Sequence, residues 1–276
     1  MKIKPKKSLG QNFLRDDQIL QKIIASAELS SDDFVIEVGP GEGVLTEQLA
    51  KYAKKVVAIE LDNNLVPILE EKFSETKNIE IIHNDILKIN LPELLEAEGS
   101  TFGSPKVEPS DALQSYKVIA NIPYYITSPI IRLFLEQTNQ PKEIILLVQK
   151  EVAQRIVAKP GRQSILAASV QYYGAAEILF EVNKKSFFPI PKVDSAVIKI
   201  IPQKSFDKEL DKKFFRIVKA GFSAKRKTLL NTFSSSLQLD KNIVEEKLKS
   251  AGISPAARAQ ELSIGQWEVL VKLFDK

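Results

Sequence analysis

Between residues 34 and 148 the sequence repeatedly sets a short run of β-branched and other apolar residues before a stretch with helical spacing. This alternation constrains the fold more than any other feature. Residues 34–39, 56–60, 79–85, 117–122 and 143–148 read as strands, and residues 44–53, 64–73 and 129–136 as helices. Helical spacing returns at 151–157 and 165–173, and a helix over 16–28 precedes the first strand. Buried strands alternating with helices of about ten residues predict an α/β fold with a mostly parallel sheet. A last strand pattern at 193–202 is followed, from residue 206 onward, by helical patterns alone. The expected division is a sheet domain over 1–202, with a basic segment at 1–15, and a small helical domain over 203–276. Residues 96–115, rich in Gly, Ser, Pro and Glu and without periodicity, read as a mobile loop inserted between two strands.

Composition removes several kinds of chemistry. The 276 residues contain no cysteine and one histidine, His83, so disulfides, thiolate nucleophiles and histidine metal clusters are excluded and no metal is expected. Uninterrupted apolar runs such as 144–148 fall far short of the ~18 residues of a membrane span. The basic start is followed by no apolar stretch, so it is not a secretory signal. Residues 205–276 carry 14 Lys and Arg against 9 Asp and Glu, whereas residues 1–204 carry 25 against 26. The first fifteen residues hold Lys2, Lys4, Lys6, Lys7 and Arg15 and no acid. Two basic regions flanking a near-neutral body are either solubilising surface or an electrostatic footprint for nucleic acid.

The segment Glu37-Val-Gly-Pro-Gly-Glu-Gly43 falls where a strand ends and a helix begins, and Gly39 starts its G-x-G-x-G spacing. Glycines there let the backbone turn and approach a ligand closely. The spacing differs from the G-x-G-x-x-G of dinucleotide binders, which disfavours a nicotinamide dehydrogenase. Glu60 ends the next strand, where a carboxylate accepts two ribose hydroxyls, and Asp85 ends the third, where it accepts from an adenine amine.

After the fourth strand comes Asn121-Ile-Pro-Tyr124. These residues suit transfer of a group to an exocyclic amine of a base, whose lone pair is delocalised into the ring. The Asn121 amide oxygen and the Ile122 carbonyl accept the two N–H bonds, and Pro123 fixes the backbone between them. Tyr124 supplies a ring on which an extruded base stacks.

Taken with Gly10-Gln-Asn-Phe-Leu14 and Phe187-Phe-Pro-Ile-Pro-Lys-Val-Asp-Ser195, these motifs resemble, in order and over essentially the whole chain, the ribosomal RNA adenine dimethyltransferase family. That resemblance implies a Rossmann-like class I methyltransferase sheet and S-adenosylmethionine as cofactor. It implies that Asn12, Leu14, Gly39, Glu60, Asp85 and Asn121 bind the cofactor, and that Asn121 and Ile122 position the target amine between Tyr124 and Phe187. Gly221–Asn231 and Arg258–Ser263 are similar to the bacterial branch acting on small-subunit rRNA. For a member of that branch the expectation is a cytoplasmic monomer, with no membrane association, acting in ribosome biogenesis. It would dimethylate two adjacent adenosines near the 3′ end of 16S rRNA in the 30S subunit or its precursor. Lys225, Arg226 and Lys227 are candidate phosphate contacts. Two alternatives stay open: a resistance-type methyltransferase on 23S rRNA, and a non-catalytic nucleic-acid-binding relative. The segment 159–164 is shorter than the family's usual loop.

Overall fold

The computed structural model describes residues 5–6, 9–100 and 115–274. The chain enters through a two-residue strand, β1 (Phe13–Leu14), and a helix, α1 (Asp17–Ser26). Asp16 caps α1 by accepting the N–H of Gln18 and of Ile19, and the buried Ile19, Leu20, Ile23 and Ile24 form one apolar face. The predicted alternation follows: β2 (Phe34–Val38), α2 (Val44–Leu49), β3 (Lys55–Glu60), α3 (Val66–Phe73), β4 (Ile79–His83), α4 (Leu91–Ser100), β5 (Tyr116–Asn121), α5 (Thr127–Leu135) and β6 (Glu143–Gln149). Then come α6 (Lys150–Ile156), α7 (Ile165–Tyr173), β7 (Gly174–Val182), β8 (Phe187–Phe188), β9 (Ser195–Pro202), α8 (Lys208–Gly221), α9 (Leu229–Leu237), α10 (Lys241–Ser250) and α11 (Ile264–Phe274).

Seven strands form one sheet in the order β4-β3-β2-β5-β6-β9-β7. Strands β4, β3, β2, β5 and β6 are parallel to one another, and β9 pairs antiparallel with β6. Every residue of β2 is buried, which explains its near-continuous apolar sequence. A second, two-stranded sheet pairs β1 with β8, Leu14 opposite Phe187.

The described chain falls into two compact units: one running through Ala153 and including Glu177–Pro202, the other Gln154–Ala176 together with the chain from Gln203 onward. The sequence reading put 154–176 in the first domain. Their packing explains the difference. The Tyr172 ring stacks on Phe214 at 3.7 Å, and the hydroxyls of Tyr172 and Tyr173 donate to the buried Asp211 carboxylate at 2.8 and 2.7 Å. In the same unit α8 packs on α9 and α11, with Trp267 lying over Gly221.

Three further features depart from the sequence reading. Residues 96–100, expected to be loop, continue α4, while 101–114 of that segment lie outside the described residues. Strand β7 had no counterpart, because Gly174-Ala-Ala and two glutamates break any apolar run in this half-exposed strand. The short 159–164 segment folds back within the second unit, where the Gly161 and Gln163 amides donate to the Gln260 carbonyl at 2.7 and 3.2 Å.

Candidate active site

From β2, the chain proceeds to β3 and β4 on one side of the sheet and returns to β5 and β6 on the other. The carboxyl ends of β2 and β5 therefore flank the switch point where an open α/β sheet binds its ligands. A crevice lies there, lined by the β1 entry segment, the glycine turn, Glu60, Asp85 and residues 121–126.

The glycine turn is built by backbone conformation. Gly39 and Gly41 have φ of +67° and +60°, which L side chains rarely adopt. A Cβ on Gly41 would sit 2.9 Å from the Phe13 ring, whereas one on Gly39 would meet nothing nearer than Pro123 at 4.0 Å. Gly39 therefore leaves open space over the turn.

Glu60 is buried at the end of β3. Its Oε1 accepts the Asp62 N–H at 2.8 Å and its Oε2 the Gly41 N–H at 3.2 Å. Burial pushes this carboxyl above its ordinary value, and the two N–H bonds pull it only part of the way back. Each oxygen keeps a further lone pair for a ligand hydroxyl. Asp85 lies two residues past the end of β4 and not on the strand as expected. Half-buried, it accepts the Leu87 N–H at 3.1 Å and still lines the crevice. His83, opposite Glu60 in the ladder, is exposed and does not line the crevice.

At the end of β5 the Asn121 side chain is oriented. Its Nδ2 donates to the Asn12 carbonyl at 3.1 Å, and among the described residues its amide oxygen has no partner. Asn12 in turn donates its own Nδ2 to the Gly10 carbonyl at 3.1 Å. Ile122 is buried just past the strand, with its carbonyl beyond the last ladder pair of β5 and β6. The Tyr124 hydroxyl bonds the fully buried Ser195 Oγ at 2.7 Å, which pins the ring at the crevice wall. Burial raises the Tyr124 phenol, with Ser195 opposing it.

Asn12, Leu14, Gly39, Glu60, Asp85, Asn121, Ile122 and Tyr124 thus converge on one crevice. Phe187 does not join them. It is 2 % exposed and packs in the hydrophobic core with Leu14 and Val197, while its neighbour Phe188 is 55 % exposed. Pairing of β8 with β1 turns the Phe187 ring inward and Phe188 outward. Lys225, Arg226 and Lys227 are exposed on the turn between α8 and α9 in the second unit. Of the five basic residues in the first fifteen, Lys6 and Arg15 are ion-paired to Asp62 and Glu42, each at 2.5 Å; the other three lie outside the described residues.

The sequence reading assigned no role to Glu37, which sits next to the carboxyl end of the buried strand β2 at 1 % exposure. Its Oε2 has no hydrogen-bond partner, and it borders the crevice. Burial pushes its carboxyl up to about 8, and the nearby Glu60 charge adds to the shift. The available signal was a carboxylate inside an otherwise wholly apolar strand, which has no structural reason to be there.

This strand order, with a glycine turn at the switch point and acids beyond the next two strands, defines a Rossmann-like class I methyltransferase. Two solved structures share it. The dimethyladenosine transferase from Plasmodium falciparum aligns over 95 % of this chain and 97 % of its own, at TM-score 0.75 and 26 % identity. The 23S rRNA methyltransferase ErmE aligns over 96 % and 100 %, at TM-score 0.71 and 28 % identity. Residues 2–276 match the family described as "Ribosomal RNA adenine dimethylase", and the chain belongs to that family. Relatives named "Ribosomal RNA small subunit methyltransferase A" are 43 % identical in Dehalococcoides mccartyi strain CBDB1, over 97 % of this chain and 88 % of the relative. In Clostridioides difficile strain 630 the identity is 41 %, over 98 % and 90 %. The α/β class and the family resemblance read from the sequence are borne out.

Proposed function

We propose that the protein transfers methyl groups from S-adenosylmethionine to the N6 amines of two adjacent adenosines near the 3′ end of 16S rRNA, giving N6,N6-dimethyladenosine in the 30S subunit or its precursor. The observation that carries this reading is the Asn121 amide. One N–H of its NH2 group donates to the Asn12 carbonyl and so orients the amide, and its oxygen is left to accept from a donor, which an adenine amine supplies.

The crevice fits the cofactor chemically. Glu60 offers two carboxylate lone pairs to ribose hydroxyls, Asp85 an acceptor to the adenine amine, and the open space over Gly39 admits close approach. When bound, S-adenosylmethionine supplies a sulfonium methyl whose S–C bond breaks as the N–C bond forms, leaving S-adenosylhomocysteine and a proton. In the first transfer the Asn121 oxygen and the Ile122 carbonyl accept the two amine hydrogens, in the second one of them accepts the hydrogen that remains, and each time the nitrogen is drawn out of conjugation. Tyr124, held by Ser195, stacks on the extruded base and fixes its plane. No protein base is required, because the proton leaves for solvent once the nitrogen is quaternised.

Lys225, Arg226 and Lys227 grip RNA phosphates from the second unit, and the enzyme works as a cytoplasmic monomer. Identity of 41 % and 43 % to relatives named for the small subunit supports that substrate over large-subunit rRNA. Incubating the protein with S-adenosylmethionine and unmethylated 30S or 50S particles, followed by mass spectrometry of the rRNA, tests the reading. Two adjacent dimethyladenosines in 16S rRNA are expected. Modification confined to 23S rRNA, or none at all, would overturn it.

A further inference from the structure

Asp62 lies two residues beyond Glu60, is 3 % exposed and does not line the crevice, yet its bonds reach both ends of the site. Its backbone N–H donates to Glu60 Oε1 at 2.8 Å. Its Oδ1 accepts from Lys6 Nζ at 2.5 Å and from the Asn64 N–H at 2.9 Å, and its Oδ2 accepts from Gln11 Nε2 at 2.8 Å. Gln11 is held at its other atom too, where Oε1 accepts the Lys6 N–H at 2.7 Å. The next residue, Asn12, presents the carbonyl that orients Asn121.

We propose that Asp62 is a positioning residue of the methyl-transfer site: through Lys6 and Gln11 it fixes the entry segment that forms one crevice wall, while its backbone fixes the carboxylate opposite. This rests on the reading that Glu60 holds the cofactor ribose. Three features favour a functional latch over a fold contact. A nearly buried carboxylate takes both a charged and a neutral donor from the entry segment. Both functional groups of the Gln11 amide are committed, so its orientation is determined. The residues so fixed, 9–14, line the crevice directly. Lys6, one of the basic residues of the amino-terminal flank, is turned to this inward task.

The test measures S-adenosylhomocysteine affinity by calorimetry, and KM for S-adenosylmethionine and for RNA separately, with thermal melting to verify the fold. Asp62→Ala is expected to weaken S-adenosylhomocysteine by about tenfold or more and to raise KM for S-adenosylmethionine while leaving KM for RNA unchanged. Gln11→Glu sets two carboxylates face to face and should reproduce that loss. Adding Asp62→Asn to Gln11→Glu restores a donor–acceptor pair and should recover most of the affinity, which loss of a merely structural residue would not do. A folded Asp62→Ala protein with wild-type affinity, or a double variant no better than Gln11→Glu alone, would overturn the proposal. Glu60→Ala separates the two levels: if it weakens S-adenosylhomocysteine and Asp62→Ala does not, the positioning role fails alone. If Glu60→Ala has no effect, the ribose reading fails and the positioning role falls with it.

Discussion

The two ends of the parallel sheet solve opposite problems with the same residue types. At the amino ends of the strands, Lys117 on β5 lies 3.3 Å from Asp33 and 3.1 Å from Glu143, and donates to the Ala27 and Glu28 carbonyls at 2.8 and 3.2 Å. Lys199 on β9 completes the set, 2.8 Å from Glu143, and that carboxylate raises the Lys199 ammonium above its ordinary value. These charges are buried but paired by ions of opposite sign, although Glu143 Oε1, 3.1 Å from the Lys117 ammonium, makes no well-aligned hydrogen bond. At the carboxyl ends, Glu37 keeps an oxygen without a partner, Glu60 is raised by burial, and Asn121 presents an unspent acceptor. A buried polar group that is satisfied rigidifies the fold; one left unsatisfied where it borders the crevice, as Glu37 and Asn121 do, is available to a ligand. The difference separates the end that stabilises from the end that works.

The sharpest way to break this comparison is Lys117→Met. It leaves Asp33 and Glu143 buried with one cation fewer, and removing one partner of a buried ion pair costs about 3–5 kcal/mol. Denaturant unfolding should show that loss in full. Affinity for S-adenosylhomocysteine, measured well below the melting temperature, should stay at the wild-type value. A large change in affinity would mean that the two ends are not independent.

Glu37→Gln probes the open end through pH, with an expected effect of a few kcal/mol. The unfolded carboxyl titrates near 4.5 and the native one near 8. Between those values the unfolded chain has released the proton that the native protein retains, so stability falls as pH rises and levels off above the native value. Glutamine cannot ionise, so its advantage in melting temperature over wild type should be absent at pH 4 and grow steadily towards pH 8. Parallel melting curves across that range would show that Glu37 is already charged in the native protein.

Much of this division is legible in the sequence, and what is not has physical causes. The strands of the parallel sheet are readable because burial on both faces demands continuous apolar runs, as in Phe34-Val-Ile-Glu-Val38. Strand β7 was not readable, because a half-exposed strand tolerates Gly174 and glutamates. Asn121, Glu60 and the glycine turn stand out because each breaks the pattern at a strand end. Asp62 and Gln11 do not, since their role depends on a contact across 51 residues that no local spacing encodes. The burial of Phe187 is not legible either, for a related reason. In Phe187-Phe188 the sequence offers two equal rings, and only the pairing of β8 with β1 decides which faces the core.

Asn121→Ala tests the open end by chemistry. The side chain is assigned an interaction that strengthens in the transition state, and loss of one such contact typically costs ~10²-fold in kcat. Turnover at saturating S-adenosylmethionine should fall by about that factor while RNA affinity changes little. Near-normal saturated turnover would remove Asn121 from the mechanism.

The smallest expected effect belongs to Tyr124→Phe, which refines the rule that satisfied groups stabilise and unsatisfied ones bind. Tyr124 is at once a crevice residue and a satisfied one, its hydroxyl engaged with the fully buried Ser195 at 2.7 Å. Phenylalanine keeps the stacking ring and removes the tether. A neutral hydrogen bond is worth about 0.5–1.5 kcal/mol net, and the orphaned Ser195 hydroxyl adds a comparable cost. The melting temperature should therefore drop by a few degrees. Turnover should fall only severalfold, through a ring held less firmly in the plane that the base needs. Tyr124→Ala, which removes the ring as well, should cost a further ~1–3 kcal/mol of base stacking. The two variants separate the contributions: stability follows the hydroxyl and RNA KM follows the ring. If Tyr124→Phe lowers turnover as far as Tyr124→Ala does, the hydroxyl itself acts in the transfer, and the tether to Ser195 is part of the chemistry.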